Sequence, residues 1–312
     1  MNSTEISSNV KSVLQRQRPR RLVFAPNFWQ WFAHHKYHNK LPAEIADCRT
    51  QLDMIKYLQL DVFSRNIYCD QQRCWFGGLA KCVFSSIDVS LQEQQDGKDK
   101  IFTKTYHTSR GTLTERLRYV FEDSTLVQEE FLINDYESQL DTFEQLLLDQ
   151  QWEFSTENYA AEQRKVGPDG MVVAGELYSP LKMLHFAMGP IDTTYLLMDY
   201  PDRVMDLLGI HERAQLDLVE QIAAAGVPAM MSMDNLDTMF HPPNQVEKYS
   251  ASFYEKAADV CHSHGSNFFI HACGQQKDNL KLISSLGVDG LEGVAYPPLG
   301  DVELDEVMEL TT

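Results

Sequence analysis

The 312-residue chain has no apolar run approaching the roughly 20 residues that a membrane-crossing helix needs. Its opening, MNSTEISSNVKSVLQRQRPRR, is polar and then basic, and without an apolar h-region it does not read as a secretory signal. Basic residues are scarce: 27 Lys and Arg face 45 Asp and Glu, for a net charge of −18. A surface of that sign argues against a partner that is mainly nucleic acid and suits a soluble protein that docks a basic patch. Cysteine is thin as well. Six are scattered along the chain, unlike the dense framework of a small secreted domain. Cys69, Cys74 and Cys82 cluster without the second half of a zinc-finger spacing, so they read as strand or core thiols. A reducing cytoplasm is the expected compartment. No internal repeat stands out, and no G-x-G-x-x-G or phosphate loop follows the first expected strand, which lowers the dinucleotide-binding reading.

What is present is enough apolar content, 43%, for a sizeable buried core. Residues 1–20 are expected to form a flexible arm. RRLVFAPNFW then reads as a short strand, Leu22 to Ala25, followed by a loop rich in aromatics and histidines. LPAEIADCRTQLDMIKYLQL carries apolar residues at Ile45, Leu52, Ile55 and Leu58, near helical spacing, and DVFSRNIY reads as the next strand. From about residue 69 to 133 the pattern alternates, as in KCVFSSIDVSLQ and KIFTKTYHTSR with the turn-like QQDGKDK between, so an antiparallel hairpin insertion is expected there. SQLDTFEQLLLDQQWEF returns to helix.

From Met171 onward, strand and helix alternate regularly. MVVAGELYSP, VPAMMSMDN, NFFIHACG and VDGLEGVAYPP read as strands. YPDRVMDLLGIHERAQLDLVEQIAAAG, QVEKYSASFYEKAADVCHSHG and DNLKLISSLG read as helices, and DVELDEVMEL as the start of one more. Such units imply a parallel sheet covered by helices. Polar residues gather where four successive strands end: Glu176, Asp234 with Asn235, His271 with Cys273, and Glu292. In a (β/α) barrel that rim carries the active site, and the barrel is preferred to a doubly wound sheet on this ground.

His271 and Cys273 are two apart, so on a continuing strand both side chains face the same way. Imidazole and thiolate suit zinc, which at a catalytic site takes three protein ligands and keeps one position open. Asp234 and Glu292 are candidates for ligand, general base or a partner that fixes the His271 tautomer, with helix N-cap or loop acid as the structural alternative. Asn235 is a candidate substrate contact or turn cap. The first loop, NFWQWFAHHKYH, offers Trp29, Trp31 and His35 as a pocket mouth for a flat organic substrate, or as anchors of a loop over it. Glu176 and Tyr178 are further candidate substrate contacts. His241, followed by two prolines, marks a rigid loop, and His262 and His264 sit at a helix end where an imidazolium suits the dipole.

FFIHACGQQKDNLKLISSLGVDGLEGVAYPPLGD resembles the uroporphyrinogen decarboxylase-like superfamily, specifically its corrinoid-dependent methyltransferase branch. GTLTERLRY, SPLKMLHFAMG and MDNLDTMFHPPNQVEKYSASFY resemble it too, and the likeness runs from about Arg20 to the end. It implies one TIM (β/α)8-type barrel domain over residues 21–312. It also implies one zinc ion held by His271 and Cys273, and a methyl group moved between a small-molecule donor or acceptor and a corrinoid, or cobalamin, carried by a partner protein. The decarboxylase branch places an arginine-bearing R-Q-A-G-R stretch in the first loop. Here NFWQWFAHHK stands there without arginine, and the second strand ends in SRN without the acid expected nearby, which disfavours porphyrinogen decarboxylation. In the family a later cysteine completes the zinc site, and two more strands follow. No cysteine follows Cys273 here, so either Glu292, Asp234 or an upstream residue is the expected third ligand, or the chain is a truncated form expected to bind metal poorly. The barrel is expected to be incomplete at its C-terminus, with edges that a homodimer would cover. The alternatives are a metal-free lyase of the decarboxylase type and a non-catalytic barrel that binds a tetrapyrrole or corrinoid.

Overall fold

The computed structural model describes residues 8–64, 78–168 and 170–311. Cys69 and Cys74, and the expected strand beyond Ser64, lie outside the described residues. The chain opens with helices α1 (Ser8–Leu14), α2 (Trp29–Tyr37) and α3 (Gln51–Tyr57), then strands β1 (Val62–Ser64) and β2 (Ala80–Phe84). Strands β3 (Asp88–Asp96), β4 (Asp99–Thr108), β5 (Gly111–Val120) and β6 (Thr125–Glu130) follow, then α4 (Tyr136–Asp149), β7 (Gln150–Phe154) and α5 (Thr156–Val166). Next come β8 (Gly170–Val172), β9 (Ala174–Leu177), α6 (Pro180–Asp199), α7 (Pro201–Ala224) and β10 (Ala229–Ser232). The last elements are α8 (Pro243–Tyr249), α9 (Ala251–Ser263), β11 (Asn267–His271), α10 (Lys277–Ser284), β12 (Gly290–Glu292) and α11 (Leu304–Thr311).

Strands β9, β10, β11 and β12 pair in sequence order, all parallel, and β1 pairs in parallel with β8. Only Val173 separates β8 from β9, and its N–H donates to the Ser64 carbonyl at 3.1 Å. One course of chain thus bridges β1 on one side and β10 on the other. Strands three places apart in a flat sheet lie roughly 14 Å apart. Yet Phe63 of β1 and Phe269 of β11 meet with ring centroids 5.1 Å apart, so the sheet is strongly curved. Its concave side holds Met171, Val173, Ala229 and Met231, and Val10 of α1 packs among them. Its convex side carries Ala174, Met230, Phe268 and Ile270 against Val219 and Ile222 of α7 and Phe253, Ala257 and Cys261 of α9. This is an α/β fold, as expected. Among the described residues the ladders run from β1 to β12 and do not close into a ring.

The expected insertion is a four-stranded antiparallel meander, β3–β4–β5–β6, with unbroken register between its first three strands. It has its own core: Tyr106, Leu113 and Ile133 pack with Phe143 and Leu147 of α4 and Leu184 and Met188 of α6. Among the described residues no helix is long and apolar enough to cross a membrane.

Several boundaries differ from the sequence reading. Leu22 to Ala25 is not a strand: Leu22 and Phe24 are 82% and 55% exposed. The segment is fastened to the start of β1 by buried Asp61, which accepts from Arg21 Nη1 at 2.6 Å, Arg21 Nη2 at 2.8 Å and the Phe24 amide at 3.0 Å. The arm over residues 1–20 carries α1, whose Val10 is buried and whose Leu14 carbonyl accepts from Asn267 Nδ2 at 3.3 Å. The single helix expected between Pro42 and Leu60 is a 3-10 turn (Ala43–Ile45) and then α3, which starts at a capping box of Thr50 and Asp53. The sequence reading left no helix at SPLKMLHFAMGPIDTTYLLMD, where α6 stands. Gly189 interrupts it at φ 78°, before Pro190, in contact with the Phe131 ring that a Cβ would strike.

Candidate active site at the strand ends

The chain leaves β10 through Met233, Asp234 and Asn235, the last with φ 50°, a left-handed conformation that asparagine tolerates. The Asn235 N–H donates to the His271 carbonyl at 2.9 Å, and the Ala272 N–H donates to the Glu292 carbonyl at 2.7 Å. The ends of β10, β11 and β12 are therefore laced side by side. The turn after Cys273 requires glycine. Gly274 has φ 95°, and a Cβ there would sit 2.1 Å from Asp237 Oδ2. That carboxylate also accepts the Gln275 N–H at 3.2 Å, and the Thr238 N–H donates to the Gln275 carbonyl at 2.8 Å.

Four of the predicted residues converge on this rim. His271 Nδ1 contacts Glu292 Oε2, with side chains 14% and 27% exposed. The half-buried Cys273 turns its thiol to Asn235 Oδ1 at 3.2 Å. In this conformation the donor atoms of His271, Cys273 and Glu292 do not gather into one three-donor set; the pair and the thiol face different partners. The donor types nevertheless fit zinc: an imidazole held at one nitrogen by a carboxylate, and a thiol one small turn away.

Asp234 is fully buried just behind the rim. Its Oδ1 accepts the Ser179 N–H at 2.8 Å and its Oδ2 the Ser232 hydroxyl at 2.6 Å. Asp234 thus ties the N-cap of α6 to the end of β10, the structural alternative raised for it above. Glu176 is likewise engaged with backbone, accepting from Leu79 N at 2.8 Å and Gly175 N at 2.9 Å. Tyr178 packs between His211, Phe186 and Trp152, with ring centroids at 4.8, 5.4 and 6.0 Å, and burial holds its hydroxyl far above the usual range. Trp29 is buried in α2, whereas Trp31 is exposed and stacks on His35 at 4.3 Å. His35 Nδ1–H donates to the Trp31 carbonyl at 2.8 Å. Among the described residues no hydrogen bond or ring contact joins Trp29, Trp31 or His35 to the rim.

Three further groups stand near the rim that sequence reasoning did not assign to it. Lys182, in the first turn of α6, has its ammonium pushed down by burial and drawn back up by the charges of Asp234 and Cys273. One turn along, buried His185 is pushed down to about 3 by burial and by Lys182. His241, 1% exposed, lies with its ring 4.6 Å from that of His185, and burial, His185 and Lys182 all push it well below the ordinary histidine range. Neither ring nitrogen of His241 has a hydrogen-bond partner among the described residues. The signal was present in SPLKMLH: Ser-Pro at a strand end opens a helix, and residues three apart then share a face.

Residues 144–294, a segment that includes every rim residue named above, match the family model for uroporphyrinogen decarboxylase (URO-D), the superfamily that the motifs resemble. No curated protein matches the chain. Among solved structures, a methyltransferase from Methanosarcina mazei is 17% identical, with a TM-score of 0.42 over 56% of this chain and 51% of that one. The chain spans about half the length of that structure.

Proposed function

We propose that the chain is a zinc-dependent methyltransferase that moves a methyl group between a methylated small molecule or acceptor and a corrinoid carried by a partner protein. The observation that carries this reading is the pair at the end of β11: His271, braced by Glu292, beside the thiol of Cys273. The family match over the same segment supports it. When bound, zinc would supply a Lewis acid able to hold a thiol as thiolate or to polarise a heteroatom.

The chain's own residues have separable parts in this scheme. Glu292 contacts His271 Nδ1, as carboxylates behind metal-binding histidines do, and Nε2 would then be the metal-holding nitrogen. Glu292 would thus act through His271, and His271 and Cys273 would hold the ion. Asn235 receives the Cys273 thiol and marks the side from which a ligand would displace it. Gly274 lets the turn pass close to Asp237, with the half-buried Cys273 set beside Asn235.

Metal analysis tests this. Replacing both His271 and Cys273 by alanine is expected to remove one equivalent of zinc per chain and to abolish methyl transfer from methylcobalamin to a thiol acceptor. Zinc content unchanged by the double replacement refutes the reading. A second reading, metal-free decarboxylation of a carboxylated tetrapyrrole, draws on the family description itself. Release of carbon dioxide from such a substrate in the presence of chelator would favour it over methyl transfer.

A further inference from the structure

His34 lies in the last turn of helix α2 and His38, four residues on, is its C-cap residue, so both stand at the same end of the helix. Opposite them, in the turn between β5 and β6, stand Glu122 and Asp123. Glu122 Oε1 lies 2.7 Å from His38 Nε2 and 3.8 Å from His34 Nδ1, and Asp123 Oδ1 lies 3.0 Å from His34 Nδ1. The two imidazole centroids are 4.5 Å apart. Among the described residues, His34, His38 and Glu122 form the one set of three potential ligand atoms that all lie within 4.8 Å of one another.

Ion pairing alone is a weak account of this arrangement. Exposed ion pairs contribute little to stability, and here one carboxylate oxygen is approached by two ring nitrogens while His34 Nδ1, which carries at most one proton, faces two carboxylates. Ligands around zinc at its usual bond lengths stand about 3.3 Å from one another. The two Glu122 distances bracket that value, so side-chain rotation of about an ångström would admit an ion. Two imidazoles and a carboxylate form a donor set that zinc takes at open sites, with Asp123 or water left for the fourth position. The side chains of His34, His38 and Glu122 are 42%, 33% and 45% exposed, so an ion can enter from solvent.

We propose that His34, His38 and Glu122 form a second transition-metal site, of the zinc class, separate from the strand-end rim. Its ligands are 84 or more residues apart across α2 and the β5–β6 turn, so the ion would clasp the first-loop helix to the antiparallel insertion. The site requires nothing of His271 or Cys273.

The test uses the full chain with His271→Ala and Cys273→Ala, so that only the second site remains. Calorimetric titration with zinc chloride is expected to show one equivalent bound, lost when His34→Ala and His38→Ala are added. Glu122→Gln is expected to weaken binding at least about tenfold, the loss that removing even an outer partner of a metal site produces. Zinc at a hundredfold excess over its dissociation constant should raise Tm by a few degrees, and only while the two histidines are present. Should the rim variants fail to fold, cobalt(II) added to the otherwise unaltered chain separates the sites. A thiolate-to-cobalt charge-transfer band reports the rim, and tetrahedral d–d bands that vanish with H34A/H38A report the second site. Absence of zinc binding in the rim variant, or binding indifferent to His34 and His38, overturns the proposal. Loss of the thiolate band alone counts against the rim and leaves this site standing.

Discussion

Replacing Asp234 by alanine should damage the fold more than any chemistry. The carboxylate is fully buried and receives the Ser179 N–H and the Ser232 hydroxyl. A buried donor left without its acceptor costs about 1–3 kcal/mol. The Ser179 amide cannot turn away, because it belongs to the N-cap of α6; the Ser232 hydroxyl can rotate. Counting the amide in full and the hydroxyl in part gives a loss of about 2–4 kcal/mol. For a chain of this length that lowers Tm by about 4 °C or more, since each kcal/mol moves Tm by about 2 °C. Asp234→Asn keeps the shape and one acceptor but presents an amide where a carboxylate oxygen stood, so it should lose about half as much. Thermal and urea unfolding of the two variants measure this. Were Asp234 to act on substrate instead, D234N would retain the unfolding midpoint and lose turnover. A D234A variant within about 0.5 kcal/mol of the unaltered protein would refute the positioning role.

Other consequences are equally direct. His211 is buried and pushed down to about 3. The unfolded chain therefore takes up its proton first as pH falls, and the stability this histidine contributes is complete above pH 6.5 and lost between about 6.5 and 3. His185, pushed to the same value, adds a second such loss. Urea unfolding is expected to weaken by about 2 kcal/mol per buried histidine between pH 7 and 5, and His211→Phe should remove one share; a flat profile would contradict the burial argument. Iodoacetamide at pH 8 should label half-exposed Cys273 well before Cys261, which is buried and pushed up to about 12, as peptide mapping would show. Zinc should slow the labelling of Cys273. Gly274→Ala combines positive-φ strain with a collision against Asp237 and should cost about 3 kcal/mol in unfolding experiments, together with metal affinity at the rim.

The distribution of readable and unreadable features follows from range. Strands β10 and β11, helices α7 and α10 and the meander were recoverable because each is announced by local periodicity and closed by its own turn residues. The His271–Cys273 pair was legible as a spacing, but the continuing strand assumed for it is not there: β11 ends at His271, and the thiol turns to Asn235 while the imidazole meets Glu292. Helix α6 was missed because Gly189-Pro190 is punctuation in most sequences, and here the chain passes through it to accommodate Phe131. Losing that helix also hid Lys182 and His185. The strand expected at Leu22 failed for the opposite reason: local β character was present, but the pairing was taken by a buried carboxylate nearly forty residues on. The burial of Asp234 behind the rim depends on Ser179, which no nearby pattern connects to it. The meeting of His34 and His38 with Glu122 is likewise a long-range accident of packing that a single sequence does not display.

The short helix at residues 8–14 has a practical bearing on handling the protein. Val10 works as a stopper in the hollow of the curved sheet, beside Met171, Val173 and Met231. Trimming the chain after Leu14 in the belief that its basic opening is dispensable would uncork that hollow to water, and a bulky fusion placed hard against Ser8 would strain the same plug.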